Sequence, residues 1–108
     1  MEQLAIIEKD GANYHLYELV GALNAYTLGE FQNTLYEAVQ KNNIVLDMSK
    51  LIELDASGIG VLMAAFNDAE DAEHRLYFMS LSNEAEKALA LTGFKSNFNL
   101  INSVTEVK

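Results

Sequence analysis

The residues best suited to chemistry lie in one short segment, Asp55-Ala56-Ser57-Gly58-Ile59-Gly60. A carboxylate can act as an acid or a base, and a hydroxyl can act as a nucleophile. Glycines let the backbone turn tightly or let another molecule approach closely. The segment could therefore support hydrolysis, nucleotide binding or recognition of a partner molecule.

An enzyme would need further residues that the sequence does not place near this segment. A Gly-x-Ser-x-Gly elbow requires a glycine two residues before Ser57, where Asp55 stands. A dinucleotide fingerprint requires a third glycine where Met63 stands, and neither His15 nor His74 is an obvious base. We therefore expect no catalysis. A small hydrolase or nucleotide-binding enzyme that uses Asp55 and Ser57 is the least favoured alternative.

The sequence predicts no cofactor and no metal site. The chain has no cysteine, and its two histidines do not pair with each other or with a carboxylate at ligand spacing. The acidic run from Asp68 to Glu73 lacks the glycine and the alternation of a calcium loop. This run is more typical of a helix face in contact with solvent.

Composition and charge limit the classes of partner. The 108 residues, half of them apolar, suffice for one core, and we expect one domain over residues 1–108. No apolar run approaches the roughly 18 to 20 residues that span a bilayer. The opening Met1–Leu4 lacks the basic region of a signal peptide, so we expect a cytoplasmic protein. A net charge of −9 disfavours nucleic acid and anionic membrane surfaces and favours a partner with a basic face, although it could simply keep the protein soluble.

Hydrophobic periodicity predicts the elements that position the Asp55 segment. Asp55 lies between a buried strand at Ile44–Leu46 and a helix with one apolar stripe, formed by Ile59, Leu62, Met63 and Phe66. The other predictions are strands at Leu4–Glu8, Tyr14–Leu19, Leu76–Leu81 and Phe98–Ile101, a loop at Gly21–Asn24, a helix that begins with a capping box at Thr27 and Glu30, a third helix from Ser82, and at most one helical turn at Ser103–Glu106.

The order of these elements, β-β-α-β-α-β-α-β, indicates the fold class. An opening hairpin followed by alternating strands and helices implies parallel strands joined by right-handed crossovers. We therefore predict an α/β fold in which a small mixed sheet has its helices packed mainly on one side.

The Asp55 segment has two interpretations on these grounds alone. Asp55 can cap the helix by accepting backbone N–H bonds at the positive end of the helix dipole. Gly58 and Gly60, however, each cost up to about 1 kcal/mol relative to alanine inside a helix, and a cap requires neither. A partner that docks on a small, flat helix start would require them.

Several segments together resemble the STAS domain family, specifically the bacterial anti-sigma factor antagonists. Ile44–Ser49 followed by Asp55–Leu62 resembles the hallmark segment of that family. Gly21–Asn24 is similar to its Gly-Glu-Leu-Asp/Asn loop, Ser80–Asn83 to the strand exit before its third helix, and Leu91–Phe94 to its Leu-x-Gly-Leu/Phe element. The resemblance implies a STAS-type fold and a protein-binding switch without a cofactor.

In that family an unphosphorylated antagonist binds an anti-sigma factor and thereby frees a sigma factor. The anti-sigma factor is also a serine kinase of the histidine-kinase-like ATPase fold, and it phosphorylates a serine at the start of the second helix; a serine phosphatase reverses this. Carried over to this chain, the resemblance implies the following partner-binding residues: Gly21, Asn24, Tyr26, Thr27, Asp55, Ala56, Ser57, Gly58, Ile59, Gly60, Ser82 and Asn83.

The sequence departs from the family at the switch position. The usual segment is Asp-Ser-Ser/Thr-Gly, and its modified serine corresponds to Ala56, which has no hydroxyl. The chain could be a constitutive binder, Ser57 could have become the phosphate acceptor, or Ala56 could be an engineered change. The alternative function is a non-switching STAS subunit of a larger assembly, such as a stress-signalling scaffold or a lipid-transport complex.

Overall fold

The computed structural model describes residues 3–108, so the first two residues used in the signal-peptide prediction lie outside the described part. The predicted order of elements is confirmed. The strands and helices are β1 (Leu4–Asp10), β2 (His15–Leu23), α1 (Leu28–Lys41), β3 (Ile44–Leu54), α2 (Ala56–Asp71), β4 (Leu76–Met79), α3 (Asn83–Leu91) and β5 (Asn99–Ile101), with short 3-10 turns at Lys95–Asn97 and Val104–Glu106.

The five strands form one mixed sheet in the order β1-β2-β3-β4-β5. β1 and β2 are antiparallel, as a hairpin requires, and each later neighbour pairs in parallel. Parallel strands must be joined by crossovers, and α1, α2 and α3 supply them. The α/β prediction with a mixed sheet is therefore confirmed.

The helices pack on one face of the sheet, as predicted. The large core joins sheet residues such as Leu46 and Phe78 to Leu35 of α1, Leu62 of α2 and Leu89 of α3, all fully buried. The opposite face carries a smaller apolar cluster, covered by the side chains of the C-terminal 3-10 turn and its neighbours. That turn is the predicted single helical turn, and Ser103 and Glu106 form a capping box at its start.

Two local predictions about the first helix region are wrong. Gly21–Asn24 is not wholly a loop, because β2 continues to Leu23 through an irregularity in its pairing with β3. Thr27 does not cap α1: its side chain makes no cap hydrogen bond. The Thr27 hydroxyl instead donates to Ala22 O at 2.8 Å and accepts from Asn24 N at 3.0 Å. A contact with the end of β2 thus replaces the local capping box.

The buried side of α2 also differs from the predicted stripe. Of the four stripe residues only Leu62 is fully buried; Ile59, Met63 and Phe66 pack at the margin of the core. The residues that face the sheet are smaller on average, and they are Gly58, Val61, Leu62, Ala65 and Ala69. Small residues let α2 lie close to the sheet, which periodicity alone does not reveal. Within residues 3–108 no helix is long and apolar enough to cross a membrane.

Candidate partner-binding site

The ends of β2 and β3 bring the candidate residues together. Because the two strands are parallel and pair Leu23 with Leu54, the segments that follow them leave the same edge of the sheet. One is the turn at residues 24–27, and the other is the start of α2. Asp55 N donates to Leu23 O at 3.2 Å, which joins the two segments at their base.

The Asp55 carboxylate holds this junction together. Its Oδ1 accepts from Gly58 N at 2.9 Å, which is the predicted N-cap of α2. Its Oδ2 accepts from Ala25 N at 3.2 Å, across the gap to the turn. One side chain therefore satisfies a free N–H group of the helix and ties the helix start to the neighbouring turn.

The turn is ordered by side chains within and beside it. Asn24 is buried, its Oδ1 accepts from Tyr26 N at 2.9 Å, and its Nδ2 donates to Glu53 Oε1 at 2.6 Å. Thr27 closes the turn through the two hydrogen bonds described above. Tyr26, by contrast, is 97% exposed, so an aromatic ring stands in solvent on a fixed backbone.

The two glycines of the segment have opposite surroundings. A Cβ at Gly58 would lie 2.9 Å from Leu23 O and 2.9 Å from Leu54 Cδ1, so the helix start needs glycine there to pack on the strand ends. A Cβ at Gly60 would meet nothing within 4 Å. Packing against the strand ends therefore explains Gly58 without a partner, whereas no such contact explains Gly60.

The exposed side of this junction is formed by Tyr26, Ala56, Ser57 and Gly60, which we call the helix-start surface. Residues 56–66 of α2 contain no charged side chain, although the chain carries 16 acidic residues. No hydrogen bond forms to the Ser57 side chain within the part of the chain that the structure describes. The helix-start surface is therefore uncharged, accessible and rigidly supported.

The remaining predicted residues lie beside this surface or away from it. Ile59 is half-buried at the margin of the core. Gly21 lies within β2 with φ +114°, and a Cβ there would be 2.1 Å from Gln3 O, so the neighbouring N-terminal segment explains this glycine. Ser82 caps α3 by accepting from Ala85 N at 3.1 Å, and its own N–H donates to Met48 O in β3. Asn83 is exposed at the first position of α3.

Two residues that support the junction were not among those predicted. Glu53 holds the Asn24 amide, and Leu23 supplies both the carbonyl that receives Asp55 N and the wall against Gly58. Glu53 is a polar residue next to the apolar end of β3, which is a recognisable signal. Leu23 has no such signal, because its role comes from a backbone carbonyl.

The polar groups of the junction are used to hold it together. Both oxygens of Asp55 accept backbone hydrogen bonds, and neither histidine lies beside Ser57: the ring of His15 contacts Glu8 and Asp10, and His74 Nδ1 donates to Val39 O at 2.8 Å. No group of three histidine or carboxylate side chains among residues 3–108 is arranged to hold a metal ion. An uncharged patch with one exposed aromatic side chain is typical of a protein interface.

Comparison with known proteins agrees with this architecture. The family model that matches the chain is the STAS domain, over residues 3–107. An anti-sigma-B factor antagonist of Listeria monocytogenes is 25% identical over 92% of this chain and 88% of its own length. An anti-sigma factor antagonist of Mycobacterium paratuberculosis superposes with a TM-score of 0.83 at 16% identity, covering 95% of this chain and 89% of its own. The phosphorylated form of the Bacillus cell fate determinant SpoIIAA gives a TM-score of 0.73 at 17% identity, with 94% of each chain covered. The chain belongs to the STAS domain family.

Proposed function

We propose that this protein is an anti-sigma factor antagonist, which binds an anti-sigma factor in the cytoplasm and so releases a sigma factor. The observation that carries the proposal is the helix-start surface, an uncharged patch supported by the Asp55 carboxylate in a chain of net charge −9. The Listeria relative named an anti-sigma-B factor antagonist supports the kind of partner. The acidic remainder of the chain favours a partner with a basic rim around an apolar contact.

Tyr26 is the proposed anchor of the interface. Exposed tyrosines on ordered backbone contribute large contact area at small entropic cost, and they are enriched among residues that dominate binding energy. The hydrogen bonds of Asn24 and Thr27 hold the turn in one conformation, so little ordering remains to be done when the partner binds. Ser57 and Gly60 would contact the same partner from α2.

The proposed partner is a serine kinase of the histidine-kinase-like ATPase fold, opposed by a serine phosphatase. A phosphate on the helix-start surface adds about two negative charges and three acceptor oxygens. The helix N-terminus tolerates that charge, but an interface packed against a bare hydroxyl does not. A penalty of roughly 4 kcal/mol would weaken binding about a thousandfold. SpoIIAA, a structural relative, exists in a phosphorylated form, which supports a switch of this kind in the family.

The two helix-start positions differ in what they offer the kinase. Ala56 at the family's switch position has no hydroxyl, whereas Ser57 is exposed and its hydroxyl has no hydrogen bond among the described residues. The protein is therefore either a constitutive binder or is switched at Ser57. Incubation with the purified kinase and ATP, followed by intact-mass measurement, separates these forms. A phosphate that maps to Ser57 contradicts the constitutive form, and a phosphate that appears only after Ala56→Ser supports it.

The binding test uses the anti-sigma factor recovered by affinity purification and then produced alone. We expect Tyr26→Ala and Ser57→Glu each to raise Kd by about tenfold or more in calorimetry. Ser96→Glu is the matched control, because Ser96 is also exposed but lies in the 3-10 turn before β5. If the unchanged protein and the three variants bound with equal affinity, the helix-start surface would be refuted as the binding site. Failure to recover any anti-sigma factor would refute the function itself.

A second candidate, a non-switching STAS subunit of a larger assembly, is favoured by the missing hydroxyl at Ala56. Recovery of a stable multi-subunit complex, with no ATPase-fold protein and no modification of Ser57, would support this candidate.

The enzymatic alternative has a simple test of its own. If the protein hydrolysed a phosphoester and the Asp55→Ala variant did not, the result would support the enzymatic alternative.

A further inference from the structure

A polar cleft lies at the far end of β2 from the helix-start surface, between the β1–β2 hairpin and α1. Its volume is about 290 Å³. The sheet and the helix each supply one wall, so both walls belong to regular elements and are fixed in position. The polar residues that line it are Glu8, His15, Tyr17, Thr34, Glu37, Lys41 and Asn42.

Tyr17 is the unusual member of this cleft. The residue is only 5% exposed and its ring belongs to the main core, yet it lines the cleft. Its hydroxyl has no hydrogen-bond partner within residues 3–108. The hydroxyl oxygen itself is not sealed in the core, because among the described residues no fully buried side-chain oxygen or nitrogen lacks a partner, and it therefore faces the cleft that the residue lines. The Tyr17 hydroxyl is therefore available to a molecule in the cleft.

Carboxylates outnumber the lysine in and beside the cleft. Glu8 lies directly opposite Tyr17 in the β1–β2 register, and Asp10 lies opposite His15. His15 contacts both carboxylates, with its Nε2 3.0 Å from Glu8 Oε1. Burial raises the pKa of Tyr17, and the charges of Glu8 and then Asp10 raise it further. Glu37 of α1 is the second carboxylate of the lining, Asp10 lies just outside it, and Lys41 is the lysine of the lining.

We propose that this cleft binds an organic cation through a guanidinium or primary ammonium group. Such a group carries several N–H donors, and it would meet the Glu8 carboxylate in a charge-assisted hydrogen bond. The Tyr17 and Thr34 hydroxyls supply neutral acceptors on either side. The cleft is separate from the proposed function, since none of its lining residues belongs to the helix-start surface.

The test is an NMR titration of the whole protein with methylguanidinium, compared with methylurea, which has nearly the same shape and no charge. We expect saturable shifts of the backbone amides at residues 8, 15, 17 and 34–41 with methylguanidinium only. Glu8→Gln should weaken binding about tenfold, because the charge-assisted bond is lost. Tyr17→Phe should weaken it about threefold, because one neutral acceptor is lost. Thermal melting of each variant confirms that it is folded.

The control variant is Glu84→Gln, which removes the same charge from an exposed position on α3 outside the cleft. Equal weakening by Glu84→Gln and Glu8→Gln would show diffuse attraction to an acidic protein and would overturn the proposal, as would equal shifts with methylurea.

A blocked Gly-Arg-Gly peptide and n-butylammonium identify the source of the cation. Tighter binding of the peptide than of the small cations indicates an arginine of a partner protein, and the reverse order indicates a free small molecule.

Discussion

The starts of α1 and α2 lie side by side at one edge of the sheet, but they are built differently. α2 begins with a local cap, because Asp55 accepts from Gly58 N three residues along the chain. α1 begins without a side-chain cap. Thr27, at the equivalent position, donates its hydroxyl backwards to Ala22 O.

The difference arises at the turn of residues 24–27, which is bonded both to β2 and to the start of α2. The hydroxyl of Thr27 fixes the turn to β2, and the second oxygen of Asp55 fixes the same turn to α2 through Ala25 N. The turn is thus held from both sides, and Tyr26 is presented from it. α1 therefore lacks a side-chain cap because the hydroxyl of Thr27 is used to order the neighbouring turn. Single substitutions can test this difference between the two helix starts.

Replacement of Asp55 should have the largest effect. Asp55→Ala removes the α2 cap and the tie to Ala25, and we expect the free energy of unfolding to fall by about 2 to 3 kcal/mol. Urea denaturation measures this change. Asp55→Asn keeps an acceptor for Gly58 N, so it should lose less than half as much. An equal loss in the two variants would show that the charge, rather than the cap, stabilises this helix start.

Gly58→Ala should be the next most damaging change. The new methyl group would lie 2.9 Å from Leu23 O, a backbone atom that cannot move aside freely. Overpacking of this kind costs about 1 to 3 kcal/mol, and the gain in helix propensity recovers part of it, so we expect a net loss of about 1 to 2 kcal/mol in urea denaturation. A neutral or stabilising result would mean that α2 can move away from β2 at little cost.

Thr27 tests the other helix start. Thr27→Val keeps the shape of the side chain but removes both hydrogen bonds of the hydroxyl, so we expect a loss of about 1 kcal/mol in the free energy of unfolding. Thr27→Ser retains the hydroxyl and should lose less. The valine variant should also show faster hydrogen exchange at the amides of residues 24–27. If exchange quickened in the first turn of α1 and not in the turn before it, Thr27 would be acting as a cap after all.

The features predictable from sequence were those set by near neighbours in the chain. Hydrophobic periodicity predicted the element order and the mixed sheet, and the Asp55 cap followed from its position before a helix. The prediction that Thr27 caps α1 was wrong because it considered only residues close to Thr27 in the chain. A capping-box pattern describes a local competition for backbone N–H groups, whereas Thr27 found a carbonyl acceptor in β2.

The roles of Asn24 and Gly58 also depend on contacts that periodicity does not contain. Asn24 bonds to Glu53, which lies 29 residues away in the chain. Gly58 packs against Leu23 O, so its requirement for glycine depends on the register between β2 and β3. The resemblance to the STAS family indicated that this segment mattered. The structure separates the glycine that the fold needs from the glycine that it does not.

Gly60 and Gly29 provide the last and smallest test, one on each helix. Apart from the backbone of its own helix turn and its chain neighbours, neither has a described atom within 4 Å of where a Cβ would lie, so alanine fits at both positions. Gly60→Ala and Gly29→Ala should each raise the free energy of unfolding by about 0.5 to 1 kcal/mol, because alanine has the higher helix propensity. Their effects on partner binding should differ. If the partner docks against α2, the methyl group at residue 60 obstructs it and raises Kd severalfold, whereas the change at residue 29 leaves Kd unaltered. The opposite result, measured by calorimetry with the same partner, would move the binding site from the start of α2 to the start of α1.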